Sequence, residues 1–332
     1  MTARPGVEKN KFGDTITGGS FQATYRWSPG RDLTAGVDYY HIDSDFTTIG
    51  FGHLTNDEVG PYVNLTQKAG RLTLNGGVRY DGSRVFEGQV SPQAGAVFNI
   101  GRATLVRGSV SRAYQAPILY ELVGVSLTSQ VLPNPDLRPE RAWLYSAGFE
   151  SNELPWLWTK LSFYNHRMTE GIVTKQLDNG RMMWDNLDTF TRKGVEAEVR
   201  GQHPVGLFAS LGYNYNKHEN TTPESERLLT WIPTRIWKSA LGLSNARVGV
   251  DVNLTGKYIW YNQQDFIREI LQANDAKWVF DLRVSKNLNL SDKRSVSIFA
   301  NVYNLTDTLF WERIDFPYAR RWVDFGAKFT FR

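Results

Sequence analysis

No cysteine occurs anywhere in the 332 residues, which excludes disulfide frameworks and thiolate metal sites and agrees with an oxidising compartment. Long apolar runs are missing too. Nowhere are there the roughly 18 to 20 successive apolar residues of a spanning helix, and the mean hydropathy of -0.40 is too polar for a bundle of membrane helices. Strands are not excluded, because a membrane barrel shows lipid only every second side chain and averages to the hydropathy of a soluble protein. The 38 basic and 34 acidic residues leave a net charge of +4 without a dense Lys/Arg block, so nucleic acid is not an expected partner. The start, MTARPGVEKNKFGD over Met1–Asp14, is polar and lacks the apolar core of a secretory leader.

Catalytic signals are equally scarce. His41, His53, His166, His203 and His218 are dispersed, with no His-x-x-x-His spacing, so neither a metal site nor a cofactor is expected. There is no Gly-x-Ser-x-Gly elbow, phosphate-binding glycine loop or dinucleotide fingerprint, and the chain is not read as an enzyme. Glu196 and Glu198 look like a carboxylate pair but share a strand face with Arg200, which reads as a polar stripe.

What is present is a period of two. From Leu72 to Tyr80, Leu72, Leu74, Val78 and Tyr80 alternate with Arg71, Thr73, Asn75 and Arg79. The same beat returns in Phe21–Trp27, Leu33–Tyr39, Leu207–Tyr215 and Val248–Tyr258. Such alternation makes strands with one apolar and one polar side. About fifteen are expected, near 17–28, 31–43, 58–67, 71–81, 90–99, 102–111, 140–150, 156–167, 189–201, 205–217, 235–244, 246–259, 277–288, 294–304 and 321–331. Aromatic residues make up 13% of the chain, a level that suits rings at lipid headgroups.

The connections fall into two alternating classes. Short ones lie at Ser28–Arg31, Lys68–Arg71, Asn99–Arg102, Ser151–Trp156, Gly201–Val205, Ser244–Ala246 and Leu288–Lys293. Longer ones lie at Ser44–Asp57, Gly82–Gln89, Arg112–Pro139, Met168–Asp188, Lys217–Thr234, Ile259–Ala276 and Leu305–Arg320, with Ile172–Leu177 able to extend a neighbouring strand. Short periplasmic turns and long outer loops are the arrangement of an outer-membrane barrel. The expected fold class is therefore all-β, an antiparallel transmembrane β-barrel with a periplasmic carboxy terminus. An odd strand count places Met1 on the outer side, whereas bacterial barrels have even counts, so a partial barrel is expected.

Two motifs occupy the longest loop: SVSRAYQAPILYEL over Ser109–Leu122 and NPDLRPE over Asn134–Glu140. Their prolines force extended, turn-rich paths, so their role reads as positional. Together they closely resemble the signature of TonB-dependent outer-membrane receptors. On that resemblance Ser111, Arg112, Pro117, Glu121, Asn134, Pro135, Pro139 and Glu140 are signature positions. Further stretches follow in the family's order: Tyr62–Asp81, Ser91–Phe98, RKGVEAEV with Gly194 and Glu196, NVYNLTD with Asn304 and Leu305, and a closing strand ending Phe329-Thr330-Phe331. The chain departs where the family often has Pro-Gly-Arg, here Tyr318-Ala319-Arg320, and in the Arg332 after the final aromatic.

The resemblance implies the later strands of a barrel of about 22, without the plug domain, energy-coupling box or early strands. Residues 1–16 then read as a polar remnant of an outer loop and 17–332 as the partial barrel. It further implies a receptor in the outer membrane of a Gram-negative bacterium, touching lipid and taking up a ferric siderophore or similar scarce nutrient. Cobalamin, haem and oligosaccharide remain open, and a TonB complex would engage only through the absent amino-terminal part. Rings and guanidinium groups in the outer loops, Arg112, Tyr114, Tyr120, Trp184, Arg227, Trp231 and Arg313, suit an anionic aromatic chelate and are the candidate ligand residues. Trp260, Tyr261 and Trp311 fall near strand ends and read as headgroup girdle. A passive porin-like channel and a soluble extended-β binding protein are the alternatives.

Overall fold

The computed structural model describes residues 13–45, 53–123, 131–220, 232–261, 278–309, 311–313 and 316–331. It opens with β1 (Gly13–Ser28), β2 (Arg31–Asp45), β3 (His53–Ala69), β4 (Leu72–Ser83), β5 (Gln89–Asn99) and β6 (Thr104–Gln115). A short helix α1 (Leu119–Val123) and β7 (Val131–Leu132) precede β8 (Glu140–Leu154), β9 (Leu157–Gln176), β10 (Met182–Gln202) and β11 (Leu207–Asn220). The chain continues through β12 (Pro233–Asn245), β13 (Val250–Tyr261), β14 (Val279–Ser291), β15 (Arg294–Tyr303), β16 (Trp311–Arg313), β17 (Phe316–Pro317) and β18 (Trp322–Phe331). Among the described residues one sheet takes the strands in sequence order, with β7 attached to β10 and β16–β17 as a separate pair. The fold is all-β, and each of the segments expected from the two-residue period falls on one strand of this order.

Tight connections make sequence neighbours into sheet neighbours. At residues 203–206, Gly206 has φ 93° and its absent β-carbon would collide with the Ser244 carbonyl. Only glycine takes that conformation there without strain. No connection of this class exceeds the span 203–206, and none of the other class is shorter than 84–88 or 177–181. The alternation of short and longer connections therefore holds.

The margins are narrower than the hydropathy pattern suggests, and one expected long loop is corrected. Met168–Asp188 is mostly strand: β9 runs to Gln176, β10 starts at Met182, and only residues 177–181 turn. Similarly, β1 starts at Gly13, β3 at His53, and β6 reaches Gln115, so Arg112 and Tyr114 are strand residues. The physical reason is that hydrogen-bonded ladders continue beyond the hydrocarbon layer, where both faces meet water and no apolar alternation is required.

The chain divides into two compact units, residues 1–98, 108–145 and 166–190 in the first, and 99–107, 146–165 and 191–332 in the second. In the first, Val37 pairs with Phe21 and Pro61, Val63 with Ala35 and Val78, and Leu65 with Leu33 and Gly76, an apolar face. One residue along, Tyr62 pairs with Arg79, Asn64 with Gly77, and Asp81 with Gln89. The second unit repeats the division: Leu241 pairs with Ala209 and Leu254, and Val284 with Val252 and Ala300. Opposite them, Asn253 pairs with Arg283, and Asn301 with Arg283 and Asp324.

Exposure agrees with a lipid-facing side. Phe21, Leu211, Leu241, Val284 and Phe329 are exposed, while Asn216, Ser285 and Asn301 on the polar face are buried. The rings of Tyr303 and Trp322 stack 4.0 Å apart, and those of Tyr213 and Trp237 lie 4.3 Å apart, each between neighbouring strands. Such pairs add about 0.5–1.5 kcal/mol beyond the area they bury.

Leu211 and Ser210 are adjacent residues of β11 on opposite faces. Leu211→Arg should cost roughly 2–4 kcal/mol if it lies near the bilayer midplane, and Ser210→Arg less than half as much. Equal losses in denaturant unfolding from lipid vesicles would contradict the facing.

Candidate functional site

In the first unit Arg79 organises the polar face. Its Nη1 donates to Asp38 Oδ2 at 2.5 Å and its Nε to Asp81 Oδ1 at 2.6 Å, while the guanidinium sits 5.7 Å from the Tyr62 ring centre. Gly60 leaves the room required, since a β-carbon there would run into the Arg79 guanidinium. Beside this group are two adjoining cavities of about 490 and 520 Å³, which share Arg79, Ser91, Arg112 and Ala113. The first adds Tyr40, Glu58, Asp81, Phe86 and Tyr114, and the second Asp38, Tyr62, Asn64 and Gln93. The volumes are those of small-ligand sites.

Arg112 and Tyr114 project two residues apart from β6, and so to one side of it. Arg112 Nη1 donates to the Val90 carbonyl at 2.9 Å, which fixes the guanidinium against the cavity wall. The Tyr114 ring lies 6.2 Å from that of Phe86. The walls carry three carboxylates, Asp38, Glu58 and Asp81, against the two guanidiniums of Arg79 and Arg112. Rings and hydrogen-bonding groups are plentiful here, but positive charge is not in excess.

The other candidate ligand residues are spread more widely. Tyr120 lies in α1, Trp184 in β10 and Arg313 in β16, while Arg227 and Trp231 lie outside the described residues. Of the seven, the structure brings Arg112 and Tyr114 to a common cavity. Tyr40, Glu58, Arg79, Asp81 and Phe86 also line it, and no sequence motif marks them as site residues. Arg79 and Asp81 were visible as the polar beat of the Tyr62–Asp81 stretch, whereas Phe86 stands in an irregular connection with no period to mark it.

The signature motifs act as fasteners. Asn134 is held at three points: its N–H donates to Glu121 O at 2.8 Å, its Nδ2 to Trp184 O at 3.0 Å, and its Oδ1 accepts Asp136 N–H at 3.0 Å. Asn186 then clasps Arg138, its Oδ1 accepting that residue's N–H and its Nδ2 donating to that residue's carbonyl, both at 2.9 Å. Glu140 Oε1 accepts the Ile172 N–H at 2.5 Å, and Arg138 pairs with Glu170 at 2.8 Å. Pro139, Leu122 and Leu137 are buried, and β7 adds a parallel ladder from Val131–Leu132 to Met182–Met183. Residues 131–140 are thereby tied to the β9–β10 hairpin. Burial raises the Glu121 carboxyl above its ordinary range, against the Ile118 N–H that it accepts.

A second fastener closes the connection between β15 and β18. Asn304 is fully buried with φ 51°, a conformation that asparagine tolerates better than most residues. Its N–H donates to Asp281 Oδ1 at 2.8 Å, and its Nδ2 to Thr308 O at 2.8 Å and Ala319 O at 3.1 Å, while its Oδ1 accepts Thr308 N–H. Asp307 accepts the Arg321 N–H at 3.0 Å and Arg320 Nη2 at 3.1 Å. That backbone bond and the neighbouring guanidiniums hold the Asp307 carboxyl below its usual range.

In the second unit Gly194 lies under the Tyr164 ring, which leaves no space for a β-carbon. Glu196 accepts Asn214 Nδ2 at 2.9 Å, and Glu198 accepts Arg200 Nε at 2.6 Å, so the carboxylate pair is a hydrogen-bonded polar stripe. Trp260 lies on β13, whereas Tyr261 is buried beside Ile259 and Val279 and is not a girdle residue. Leu305 directs its N–H to Phe280 O at 2.7 Å, and its own carbonyl accepts Arg321 Nη1.

Comparison with known proteins places this geometry. A family model described as TonB dependent receptor-like, beta-barrel matches residues 4–305. Among solved structures, the siderophore receptor PirA from Pseudomonas aeruginosa superposes with a TM-score of 0.72 at 16% identity, over 96% of this chain and 56% of that one. The FrpB iron transporter from Neisseria meningitidis (F3-3 variant) gives 0.75 at 17%, over 95% and 54%. The copper transporter OprC gives 0.73 at 17%, over 96% and 56%. The chain thus spans little more than half the length of these structures, and identities this low speak for the fold alone.

Two outcomes follow from the second fastener. Asn304→Ala should destabilise the chain by roughly 1–3 kcal/mol for each buried partner it leaves unpaired, read by denaturant unfolding in detergent. Because the folded value of Asp307 lies below its unfolded one, its contribution is complete above the ordinary carboxylate range and disappears as pH falls through the lowered value. Amide exchange across residues 304–321, corrected for intrinsic rates, should stay flat from neutral pH down to the ordinary carboxylate range and rise below it. Asp307→Asn should abolish that rise, and an unchanged profile would sink the assignment.

Proposed function

Because the chain belongs to the TonB-dependent receptor-like β-barrel family, whose barrels lie in the outer membrane, we propose that it supplies the barrel wall of a receptor for a scarce small nutrient. A ferric siderophore is the leading class. Support comes from structural neighbours named for a siderophore, iron and copper, and from the observation that carries the reading, the convergence of Arg112 and Tyr114 on one cavity with Tyr40 and Phe86. In this reading the longer connections face outside, and Arg332 lies in the periplasm. A plug within the complete receptor holds the passage closed until a periplasmic energy-coupling protein of the TonB kind displaces it.

The chemistry of the wall fits recognition. Tyr114, Phe86 and Tyr40 offer ring faces for an apolar or aromatic part of the chelate, worth about 0.5–1.5 kcal/mol per pair. Arg112, held by Val90 through one nitrogen, keeps further N–H groups for oxygen ligands at the rim of the chelate. Fixing the guanidinium beforehand lowers the ordering cost of binding. The fasteners at Asn134 and Asn186 keep the adjoining loop in one arrangement, which serves the same end.

Purified protein should be titrated with a catecholate, a hydroxamate and a citrate-type ferric chelate, following quenching of tryptophan fluorescence. At least one should bind saturably, and Arg112→Gln should weaken it about ten- to a hundredfold, the equivalent of a charge-assisted hydrogen bond of about 1.5–3 kcal/mol. Tyr114→Ala should weaken it several-fold. Binding of none of the three, or binding that ignores both substitutions, would count against the proposal.

A further inference from the structure

On the apolar side of the second unit one charged residue breaks the pattern. Val250 of β13, Lys286 of β14 and Ile298 of β15 stand side by side in one cross-strand row, and Val252, Val284 and Ala300 in the next. A cation at a lipid-facing position is costly at depth and tolerated where its head reaches the polar layer. Lys286 finds a polar partner at the strand ends: its Nζ donates to the Val248 carbonyl at 2.5 Å, in the short connection between β12 and β13. That bond uses one of the three ammonium donors and leaves two. The same connection carries exposed Arg247 next to Val248, and Asn245 Oδ1 accepts the N–H groups of both, at 3.0 and 3.3 Å, which fixes the turn. No acid lies between Ser244 and Val250. The next residue, Asp251, is on the polar face and is engaged by Ser244 and Asn287. The first unit repeats the arrangement. Arg31 lies two residues before Leu33 on the apolar side of β2, and its Nε donates at 2.9 Å to the carbonyl of Lys68, beside the next short connection. On the adjoining strand the exposed rings of Tyr25 and Trp27 stack 6.0 Å apart, as rings do at a headgroup layer.

We propose that Lys286 and Arg247 together hold the phosphate of an anionic phospholipid whose acyl chains lie along Val252 and Val284, and that Arg31 holds another in the same way. Phosphate oxygens accept the two remaining Lys286 donors and the planar fork of Arg247 as charge-assisted hydrogen bonds. The carbonyls of Val248 and Lys68 restrain the Lys286 and Arg31 side chains beforehand, which lowers the ordering cost of binding. The occupant is a lipid because the cations stand at the edge of an apolar surface, with Val284 and Ile298 exposed beside them. It is anionic because the turn supplies cations and no acid, and a zwitterionic headgroup would bring its own ammonium into that positive field. The inference rests on the barrel lying in a membrane and not on the nutrient that it takes up. It shares no residue with the Arg112 cavity, so the lipid site and the chelate site fail separately.

The test is native mass spectrometry of the full chain, released from neutral-detergent micelles that contain phosphatidylglycerol and phosphatidylcholine in equal amounts. Retained phosphatidylglycerol is expected, with phosphatidylcholine retained about fivefold less, the equivalent of one cation acting on an anionic headgroup. Lys286→Gln and Arg247→Gln should each lower the occupancy of one lipid by about the same factor, and the double variant should lose that lipid. Arg31→Gln should lose the other. Lys286→Arg should keep most of the binding, and Lys238→Gln, on the polar face of β12, should match the parent. Added inorganic phosphate should leave the retained lipid in place. Equal retention of the two lipids, a parent-like count in the double variant or in Arg31→Gln, an equal loss in Lys238→Gln, or displacement by inorganic phosphate would overturn the proposal. Circular dichroism of each variant separates lost binding from lost fold, and should Lys286→Gln not fold, Lys286→Leu, which suits a lipid-facing position, applies the same criteria.

Discussion

The pairing of backbone N–H and C=O groups along the strands is the constraint on which the rest depends. In hydrocarbon there is no water to satisfy an unpaired group, so a chain that crosses as strands must pair them in the sheet. Once Val252 stands opposite Val284 and Leu254 opposite Leu282, every residue between has its face decided. A slip of one residue would turn all of them over, placing Asn253 and Arg283 in lipid. The apolar side chains therefore do more than bury area: they make one register far better than its neighbours. The aromatic stacks between adjacent strands reinforce the same choice from the outer side.

That facing was legible because lipid imposes it residue by residue. Phe21, Leu33 and Val37 read as apolar-side residues from the period alone, and their pairing agrees: Phe21 stands opposite Val37 and Leu33 opposite Tyr25. Legibility ended where the lipid ends. The segment 168–176 lost its alternation yet kept its ladder, and Arg112 and Tyr114 looked like loop residues although β6 carries them. Water on both faces removes the hydropathy signal without removing the hydrogen bonds. The cavity beside Arg112 was legible only in part for a related reason. Glu58 and Asp81 were polar beats among many, and their meeting with Phe86 depends on a connection that has no period.

The signature motifs show how a chain can write strong local pattern without placing it at a ligand. Asn134, Asn186 and Asn304 each spend their amides on backbone groups of another segment. A side-chain amide both donates and accepts, so it can imitate a short piece of β-ladder where the chain is irregular. Prolines remove donors that such turns could not satisfy, and positive φ at Asn304 and Asp307 lets the backbone reverse within a few residues. The departure from Pro-Gly-Arg at Tyr318-Ala319-Arg320 keeps the parts that matter to this knot. The Ala319 carbonyl and the Arg320 guanidinium are both used.

Charge on the polar face has to be read after internal pairing, and that changes what each wall prefers. Counted by residue, Arg79 and Arg112 suggest an anion site. Arg79, however, is committed to Asp38 and Asp81, and Glu58 stands in the same wall. What remains is a surface that recognises through rings and directed hydrogen bonds, with little Coulombic pull on an anion. On the β12–β13 face, likewise, Glu198 is taken by Arg200, Glu196 by Asn214 and Asp281 by the Asn304 N–H, so none of these acids can be counted as residual charge. Interactions between groups in such partly enclosed walls are screened less than those at an open surface, so residual charge, more than composition, decides which solute groups each wall holds.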